Sequence, residues 1–337
     1  MKREMPILGL GLIVMLVIAV VGVGSELLLR NLKGGGRRAG ASAKAEAARR
    51  PAAKPLASAP AAKGDTTAAG QPCRVVSSAV ALPDYVDESS GVAWSRAGGG
   101  LLWTHNDSGD PELVGVDERG AERARVRLTG ATVTDWEDVA EAPCAGGSCL
   151  FVADIGDNEA RRRSVTVYRV REPAAGATAT APAEALDATY PDGAQDAEAI
   201  FALPNGSLHV VTKGETGPAA LYRFPMPLRP GATVMLERVA GISIAALERR
   251  DRITGASASP DGRWVAVRTL KTLSLYRTDG GTVRGFANPM VMDLSGLNEA
   301  QGEGVALADG GTVFLTSEAG GKKKPATLAR LACTLPA

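Results

Sequence analysis

Carboxylate side chains recur at one position of a repeated sequence pattern. Glu137, Glu198 and Glu303 each come near the start of a short apolar run that is typical of a β-strand. Ser90 and Thr254 occupy the same place in two further runs, and the five residues are separated by 47, 61, 56 and 49 positions. Carboxylates that gather at one point can bind a cation or exchange a proton with a ligand.

A second set of polar residues follows the next strand of each repeat. Its members are His105-Asn106-Asp107, Asp154, Lys213 with Glu215, Arg268, and Ser317 with Glu318. Two of the loops share the form Asp-x-Gly-Asp, at 107–110 and 154–157, and the second continues with Asn158. Glycine permits the tight turn in such a loop, and the side-chain oxygens then surround a small space.

The segments around these residues form a unit of short strands that occurs five times. Each copy contains three apolar strands separated by turns marked by Gly or Pro, and most copies have a fourth strand at 122–128, 186–190, 234–240 or 287–293. Four-stranded units of about 40–50 residues are typical of β-propellers. The sequence therefore predicts an all-β fold, a propeller of five four-stranded blades, or of six if one set of strands is too degenerate to recognise.

The four cysteines agree with a closed ring. The fifth copy lacks its outer strand, and the unmatched strand 73–82 can supply it by pairing beside 327–333. Cys73 and Cys333 would then be neighbours and form one disulfide, while Cys144 and Cys149 would form the second across a tight turn. Four free buried thiols are the alternative. Disulfides would place the domain outside the cytoplasm.

Propeller geometry brings the two polar sets together. In a four-stranded blade the start of the first strand and the end of the second lie at the same edge, so both sets converge on one mouth of the central channel. Hard oxygen ligands suit Ca²⁺, with Mg²⁺ as the alternative. We predict a metal site formed by Glu137, Asp154, Glu198 and Glu303. We predict ligand-binding roles for Asn106, Asp107, Asp157, Asn158, Lys213, Arg268 and Glu318.

Alternatives to these roles stay open at this point. The acidic residues before the first strands could instead bind the backbone of the neighbouring blade and fix the contacts between blades. His105 is a weak candidate for a general base, because a neutral structural imidazole is the more common role for such a residue. Basic runs at 161–163 and 322–324 could form a rim that suits an anionic ligand, or could be solvated surface.

Charge divides the chain into a basic leader and an acidic body. The first 72 residues hold 11 of the 38 Lys and Arg residues and 4 of the 37 Asp and Glu residues, which leaves residues 73–337 with 27 basic and 33 acidic side chains. Phosphate binding needs a basic surface, so this balance argues against nucleic acid as a partner of the body. We expect a monomer.

The leader predicts attachment to a membrane. Residues 7–24 are uncharged and rich in Leu, Ile and Val, a length at the lower limit of a bilayer span. We predict a membrane anchor at 1–32, with a cleaved signal as the alternative, then a disordered linker at 33–72 and the propeller at 73–337. The basic residues after the apolar run favour a cytoplasmic body. The cysteines favour the opposite orientation, and we give them the greater weight.

Several motifs carry a resemblance to known proteins. Ser89-Ser-Gly-Val-Ala, Trp103-Thr-His-Asn-Asp-Ser-Gly-Asp110, Asp135-Trp-Glu-Asp-Val-Ala140 and Asp154-Ile-Gly-Asp-Asn158 resemble a family of exported bacterial propeller proteins of unassigned function. More distantly, the architecture is similar to calcium-dependent propellers of the gluconolactonase, paraoxonase and phytase types. That resemblance implies Ca²⁺ at the channel mouth, held at the positions of Glu137, Asp154, Glu198 and Glu303. Thr254 departs from the pattern.

Two functions follow as hypotheses. In the first, an envelope-anchored propeller binds a divalent cation at its mouth and binds or hydrolyses a small anionic or ester ligand, with Lys213 and Arg268 orienting it. In the second, a non-catalytic propeller binds an envelope protein or glycan, and the acidic positions are structural.

Overall fold

Short strands that alternate with glycine-rich turns fold into five sheets, each built on four antiparallel strands. The computed structural model describes residues 71–214, 218–242, 252–321 and 323–336. In blades 1 and 2 the strands run in chain order from the channel outward. Blade 1 consists of β2 (Ser89–Trp94), β3 (Leu102–Asn106), β4 (Glu112–Val116) and β5 (Glu122–Arg127). Blade 2 consists of β6 (Trp136–Cys144), β7 (Gly147–Asp154), β8 (Val165–Arg171) and β9 (Glu184–Thr189).

The other three blades repeat this arrangement. Blade 3 consists of β10 (Ala197–Ala202), β11 (Leu208–Thr212), β12 (Ala219–Arg223) and β14 (Glu237–Ile242). Blade 4 consists of β15 (Ile253–Ala258), β16 (Trp264–Thr269), β17 (Thr272–Arg277) and β18 (Met290–Asp293). Blade 5 consists of β19 (Gln301–Leu307), β20 (Thr312–Glu318), β21 (Thr327–Cys333) and β1 (Cys73–Ala81). Two 3-10 turns lie at Ser295–Leu297 and Asp309–Gly311. The prediction of a five-bladed all-β propeller is confirmed.

The ring closes as the sequence predicts. Strand β1 pairs antiparallel with β21, and Cys73 lies directly opposite Cys333. The two cysteines form a disulfide, and Cys144 and Cys149 form the second. Both predicted pairings are confirmed, and two disulfides indicate an oxidising environment outside the cytoplasm.

One outer strand differs from its prediction. The segment 234–240 divides at Leu236, which is buried. The preceding strand β13 (Val234–Met235) pairs parallel with β9 of blade 2, whereas β14 forms the outer edge of blade 3. The sequence pattern predicts one continuous strand here. The alternation of apolar and polar residues in a segment does not show which blade that segment pairs with, so the division at Leu236 could not be predicted.

The hydrophobic core lies between the blades rather than along the channel. Five clusters of buried side chains fill the five interfaces between adjacent blades. Trp103 and Trp136 pack between blades 1 and 2, Trp94 stacks on Phe314 between blades 5 and 1, and Trp264 lies between blades 4 and 5. The tryptophans therefore pack the blades together.

The N-terminal predictions concern a part of the chain outside this description. The predicted anchor at 1–32 and all but the last two residues of the predicted linker lie outside the described residues. Among the residues that are described, no helix has the length and apolar character needed to cross a membrane.

Candidate functional site

The register of every inner strand shifts at the same place. Each shift is a β-bulge or similar irregularity in the pairing of the first strand with the second. The residues that lie within these shifts include Ser90, Glu137, Glu198, Thr254 and Glu303, the five positions that align in the sequence. A bulge removes a residue from the regular alternation of a strand and redirects its side chain. The backbone itself therefore sets the orientation of the three glutamates.

The hydroxyl residues of this set hold the blades together. Ser90 Oγ donates to the carbonyl of Glu137, 2.7 Å away in the next blade. Thr254 Oγ1 donates to the carbonyl of Gly302, 3.0 Å away. Ser90 and Thr254 therefore fix the contacts between neighbouring blades. This structural role is the one that the sequence leaves open as the alternative for the acidic residues at the equivalent positions.

The three glutamates are buried close to one another at the mouth, the end of the channel at which the inner strands begin. Glu137, Glu198 and Glu303 are 7%, 5% and 5% exposed. Burial, followed by the charge of Glu198, raises the pKa of Glu137 well above its ordinary value. Burial and the charges of Glu198 and Glu318 do the same to the pKa of Glu303. The charges of Glu137 and Glu198 therefore act on each other within this buried group.

Lys213 is the cation of this inner group. Its ammonium forms an ion pair with Glu198 Oε1, lies 3.4 Å from Asp196 Oδ2, and donates to Asn158 Oδ1 at 3.2 Å. Although burial opposes the charge, Glu198 and Asp196 raise the pKa of Lys213, so the side chain is protonated. Lys213 and Asn158 thus contact each other, and Lys213 also contacts the carboxylates. Their predicted ligand-binding roles stay predictions.

The channel is closed directly below the glutamates. Asp138 is fully buried and accepts hydrogen bonds from the backbone N–H groups of Val139 at 2.8 Å, Ile200 at 2.9 Å and Ala256 at 3.3 Å. Its carboxylate thus connects the inner strands of blades 2, 3 and 4. Burial raises the pKa of Asp138 well above its ordinary value, and the three N–H donors oppose that rise.

Glycines at the same level allow the inner strands to approach closely. A Cβ atom at Gly91 would lie 2.6 Å from Asp138 Cα, and one at Gly255 would lie 2.6 Å from the carbonyl oxygen of Glu303. One at Gly304 would lie 2.8 Å from the nitrogen of Val92. Because no side chain fits at these three positions, the inner strands of neighbouring blades pack closely at the level of Asp138.

The Asp-x-Gly-Asp loop of blade 2 supports the inner group. Asp154 accepts from the N–H groups of Thr134 and Asp135 at 3.1 and 3.2 Å, and from Arg162 at 2.8 Å. Gly156 packs so closely that a Cβ atom there would overlap Glu137 Oε1 and the carboxylate of Asp135. Asp154 is therefore surrounded by N–H donors, and Gly156 is required for the position of Glu137.

Asp157 also has a local role. Its carboxylate accepts from the N–H groups of Arg161 at 2.9 Å and Arg162 at 2.7 Å, and its own N–H donates to Asp196 at 2.9 Å. The basic run at 161–163 is therefore partly engaged by acidic residues, because Arg162 pairs with Asp154 and Arg161 with Glu159.

Arg268 lies inside the contact between blades 4 and 5, and its charge lowers the pKa of the neighbouring Glu303. It is fully buried, and its Nη1 donates to the carbonyls of Gly304 at 2.7 Å and Thr316 at 2.8 Å. Its Nη2 forms an ion pair with Glu299, which is also buried. The predicted ligand-binding role of Arg268 stays a prediction, and its observed contacts join blades 4 and 5.

The other side of the mouth, between blades 5 and 1, is acidic. Burial and the neighbouring carboxyl group of Glu88 raise the pKa of Asp107 to about 7. Burial, followed by the charges of Asp107 and Glu88, raises the pKa of Glu318 to about 7. The buried Oδ1 of Asp107 has no hydrogen-bond partner among the described residues. We name Glu88, Asp107 and Glu318 the outer carboxylates.

Two predicted residues of this region have backbone or packing contacts. Asn106 accepts from the N–H of Glu88 at 3.3 Å and donates to the carbonyl of Tyr85 at 2.8 Å, so it fixes the loop that carries Glu88. His105 is 1% exposed and packs edge-on against Trp136. Burial lowers the pKa of His105 to about 4, so the imidazole is neutral and is shielded from a ligand in the pocket.

The four predicted metal ligands are not arranged around a common point. Within the described parts of the chain, no group of three or more His, Cys, Asp or Glu side chains is arranged to hold a metal ion. Two of the four predicted ligands have other partners, since Glu198 pairs with Lys213 and Asp154 with N–H donors. The residues as arranged therefore do not fit a divalent cation at the inner group.

Sequence reasoning missed Asp138 and Gly156. Asp138 belongs to the Asp-Trp-Glu-Asp motif, but its signal, an acid at a position where the other inner strands have Gly or Ala, becomes visible only after the strands are aligned. Gly156 was recognised only as a turn residue, and its close approach to Glu137 depends on the packing of two loops.

Comparisons with known proteins identify no family for this chain. A scan against protein-family models finds no match, and a search of the curated proteins finds none either. Among solved structures, the PQQ-bound aldose sugar dehydrogenase of Streptomyces coelicolor is similar at 12% identity and a TM-score of 0.47, over 78% of this chain and 98% of that chain. A gluconolactonase of Xanthomonas campestris is similar at 12% identity and a TM-score of 0.42, over 78% and 89%. At this distance the likeness concerns the propeller fold and identifies no reaction.

Proposed function

We propose that this protein is an extracytoplasmic binding propeller whose mouth takes a small organic cation, such as a compound with an ammonium group, beside the outer carboxylates. The observation that carries this proposal is the uneven charge around the pocket. Lys213 and Arg162 compensate acids on the side of blades 2 and 3. On the side of blades 5 and 1, the charges that act most strongly on Glu318 are those of Asp107, Glu88 and Glu198, all acidic.

The electrostatic cost of this arrangement favours a cationic ligand. Like charges in a partly desolvated pocket disfavour ionisation, which is why the pKa values of Asp107 and Glu318 lie near 7. A bound ammonium group would supply the missing charge and N–H donors for the unpartnered Oδ1 of Asp107. An ammonium group also tolerates looser geometry than a divalent metal, whose ligands must converge at about 2.0–2.6 Å.

The same observations weaken the expectation of an anionic ligand. The ammonium of Lys213 has three N–H donors and three oxygen neighbours, in Glu198, Asp196 and Asn158. The Nη donors of Arg268 are directed to carbonyls and to Glu299, inside the protein. Both side chains are thus engaged with oxygen atoms of the protein, and the Nε of Arg268, which has no hydrogen-bond partner among the described residues, is buried.

Ca²⁺ or Mg²⁺ binding and ester hydrolysis stay predictions, as do the membrane attachment and an envelope protein or glycan as partner. The position of β1 bears on the attachment. Because β1 begins at the edge of blade 5 that is opposite the mouth, the chain before Cys73 joins the propeller at the face away from the pocket.

Thermal unfolding of the purified, oxidised protein tests the proposal. The probes are 1,4-diaminobutane, CaCl₂, MgCl₂ and sodium phosphate at constant ionic strength. A ligand that binds only the folded state at a concentration of 100 Kd stabilises it by about 2.7 kcal/mol. We expect a saturable rise of the midpoint with the diamine, diminished in Asp107→Asn and Glu318→Gln and retained in the control Asp279→Asn, whose carboxylate is 80% exposed.

Other outcomes would redirect the interpretation. A rise with phosphate alone would contradict a cationic ligand. A rise with CaCl₂ that depends on Asp107 and Glu318 would replace the organic cation by a metal ion at the same place. If none of the probes changes the midpoint, the proposal fails and the non-catalytic scaffold becomes the better hypothesis.

A further inference from the structure

Lys213 is held in a fixed position at the end of β11. Its N–H donates to the carbonyl of Asp196 at 2.9 Å, and its carbonyl accepts from the N–H of Ile253 at 3.2 Å in the next blade. The side chain is 14% exposed. Backbone hydrogen bonds to blades 3 and 4 thus fix the start of this side chain, unlike that of a lysine on a loose surface loop.

The ammonium occupies a place that is built of oxygen atoms. A carboxylate of blade 3 (Glu198), a second one directly before β10 (Asp196), and the amide oxygen of Asn158 from the blade 2 loop surround it. Glu137 lies beside this group, because its charge acts on both Glu198 and Lys213. Carboxylate and amide oxygens from several loops are also the donor set that a hard divalent cation uses.

The charge of Lys213 is necessary for this group of acids. Two carboxylates that share a buried space repel each other unless a cation or a proton compensates them. Lysine is suited to the task because its ammonium is compact and has three donors, which match the three surrounding residues.

We propose that the Lys213 ammonium is the resident cation of the inner group and takes the place that a calcium ion would otherwise fill. The protein therefore requires no divalent metal at Glu198. This inference is independent of the organic ligand, which concerns the outer carboxylates of the neighbouring blades.

Removing the ammonium should convert the place into a metal site. We expect Lys213→Met to gain a Ca²⁺-dependent rise of the unfolding midpoint of about 5 °C at 100 Kd of CaCl₂, relative to EDTA. The gain should disappear in the double variant Lys213→Met/Glu198→Gln. Lys213→Arg keeps the positive charge and serves as the matched control, without a gain.

The wild-type protein provides a second test that needs no change at Lys213. Its midpoint should not depend on Ca²⁺ through Glu198, so the difference between CaCl₂ and EDTA should be the same in wild type and in Glu198→Gln. A Ca²⁺ effect in wild type that Glu198→Gln abolishes would overturn the inference, because the metal would then share the site with Lys213. Failure of Lys213→Met to gain Ca²⁺ binding would overturn it as well. If Lys213→Met folds only when CaCl₂ is present, that result supports the inference.

Discussion

The disulfide between Cys73 and Cys333 closes the ring at its weakest strand. Strand β1 is exposed along most of its length, with Val75 and Val76 at 44% and 42% exposure, whereas Cys73 is buried. The strand is therefore held mainly by its backbone pairing with β21 and by the disulfide. We predict that Cys73→Ser/Cys333→Ser leaves the fold intact but much less stable.

The magnitude follows from the loop that the bridge closes. The two cysteines are 260 residues apart. In the chain-entropy model, a loop of that length reduces the entropy of the unfolded chain enough to stabilise the protein by about 5.5 kcal/mol at 25 °C. With roughly 2–4 °C per kcal/mol for a domain of this size, the midpoint should fall by about 10–20 °C.

The second disulfide is an internal control. Cys144 and Cys149 are 5 residues apart, so the same model gives about 2 kcal/mol. Arg171 also donates to the carbonyls of Ala145 and Gly146 and holds the same turn. Cys144→Ser/Cys149→Ser should thus lower the midpoint by well under half as much.

Two measurements distinguish ring closure from a general effect of losing a disulfide. Urea unfolding of both double variants gives the free energies, and amide hydrogen exchange reports whether protection is lost first in β1. Equal destabilisation by the two double variants would refute the reasoning. So would a loss of protection that is spread evenly over all five blades.

The remaining predictions concern the pocket. Gly156→Ala should destabilise the protein by about 1–3 kcal/mol in urea unfolding and weaken binding at the mouth, because its Cβ would overlap Glu137 Oε1. Gly241→Ala is the control in the same experiment, because the space around Gly241 is open. Asp138→Asn should lower the free energy of unfolding by about 2–4 kcal/mol in urea, since an amide cannot accept all three N–H bonds. A loss equal to that of Asp279→Asn would contradict the role of Asp138. Asp107 and Glu318 have folded pKa values of about 7, above their unfolded values, so their stabilising contribution is complete below about pH 4 and is lost as the pH rises through 7. The midpoint should therefore fall as the pH rises from about 4 to 7 and level off above that range. Asp107→Asn/Glu318→Gln should reduce this fall relative to wild type, because the buried imidazoles of His105 and His209, whose pKa values are lowered to about 4, contribute the same opposite change in both proteins.

Much of the architecture could be predicted because it depends on local patterns. Repeated short strands gave the five blades, and the unmatched strand before Leu82 predicted both the ring closure and the partner of Cys333. The convergence on one mouth also follows from topology alone. It correctly brings Glu137, Glu198 and Glu303 together.

The chemistry of the pocket was less accessible, because it depends on which groups pair with each other. Residue types alone cannot show that Lys213 pairs with Glu198, or that Arg268 lies inside the contact of blades 4 and 5. An acidic motif has the same sequence whether its oxygens face N–H donors, as in Asp154, or remain available, as in Asp107.

A calorimetric titration of the oxidised protein with 1,4-diaminobutane at pH 7.5 tests the central claim most directly, with the Asp107→Asn/Glu318→Gln double variant titrated beside wild type. We predict one binding event in wild type with a Kd below about 1 mM, equivalent to about −4 kcal/mol. We predict at least about tenfold weaker binding in the double variant, a difference of about 1.4 kcal/mol. Equal binding by the two proteins, or binding of phosphate instead of the diamine, would contradict a cationic ligand at the outer carboxylates.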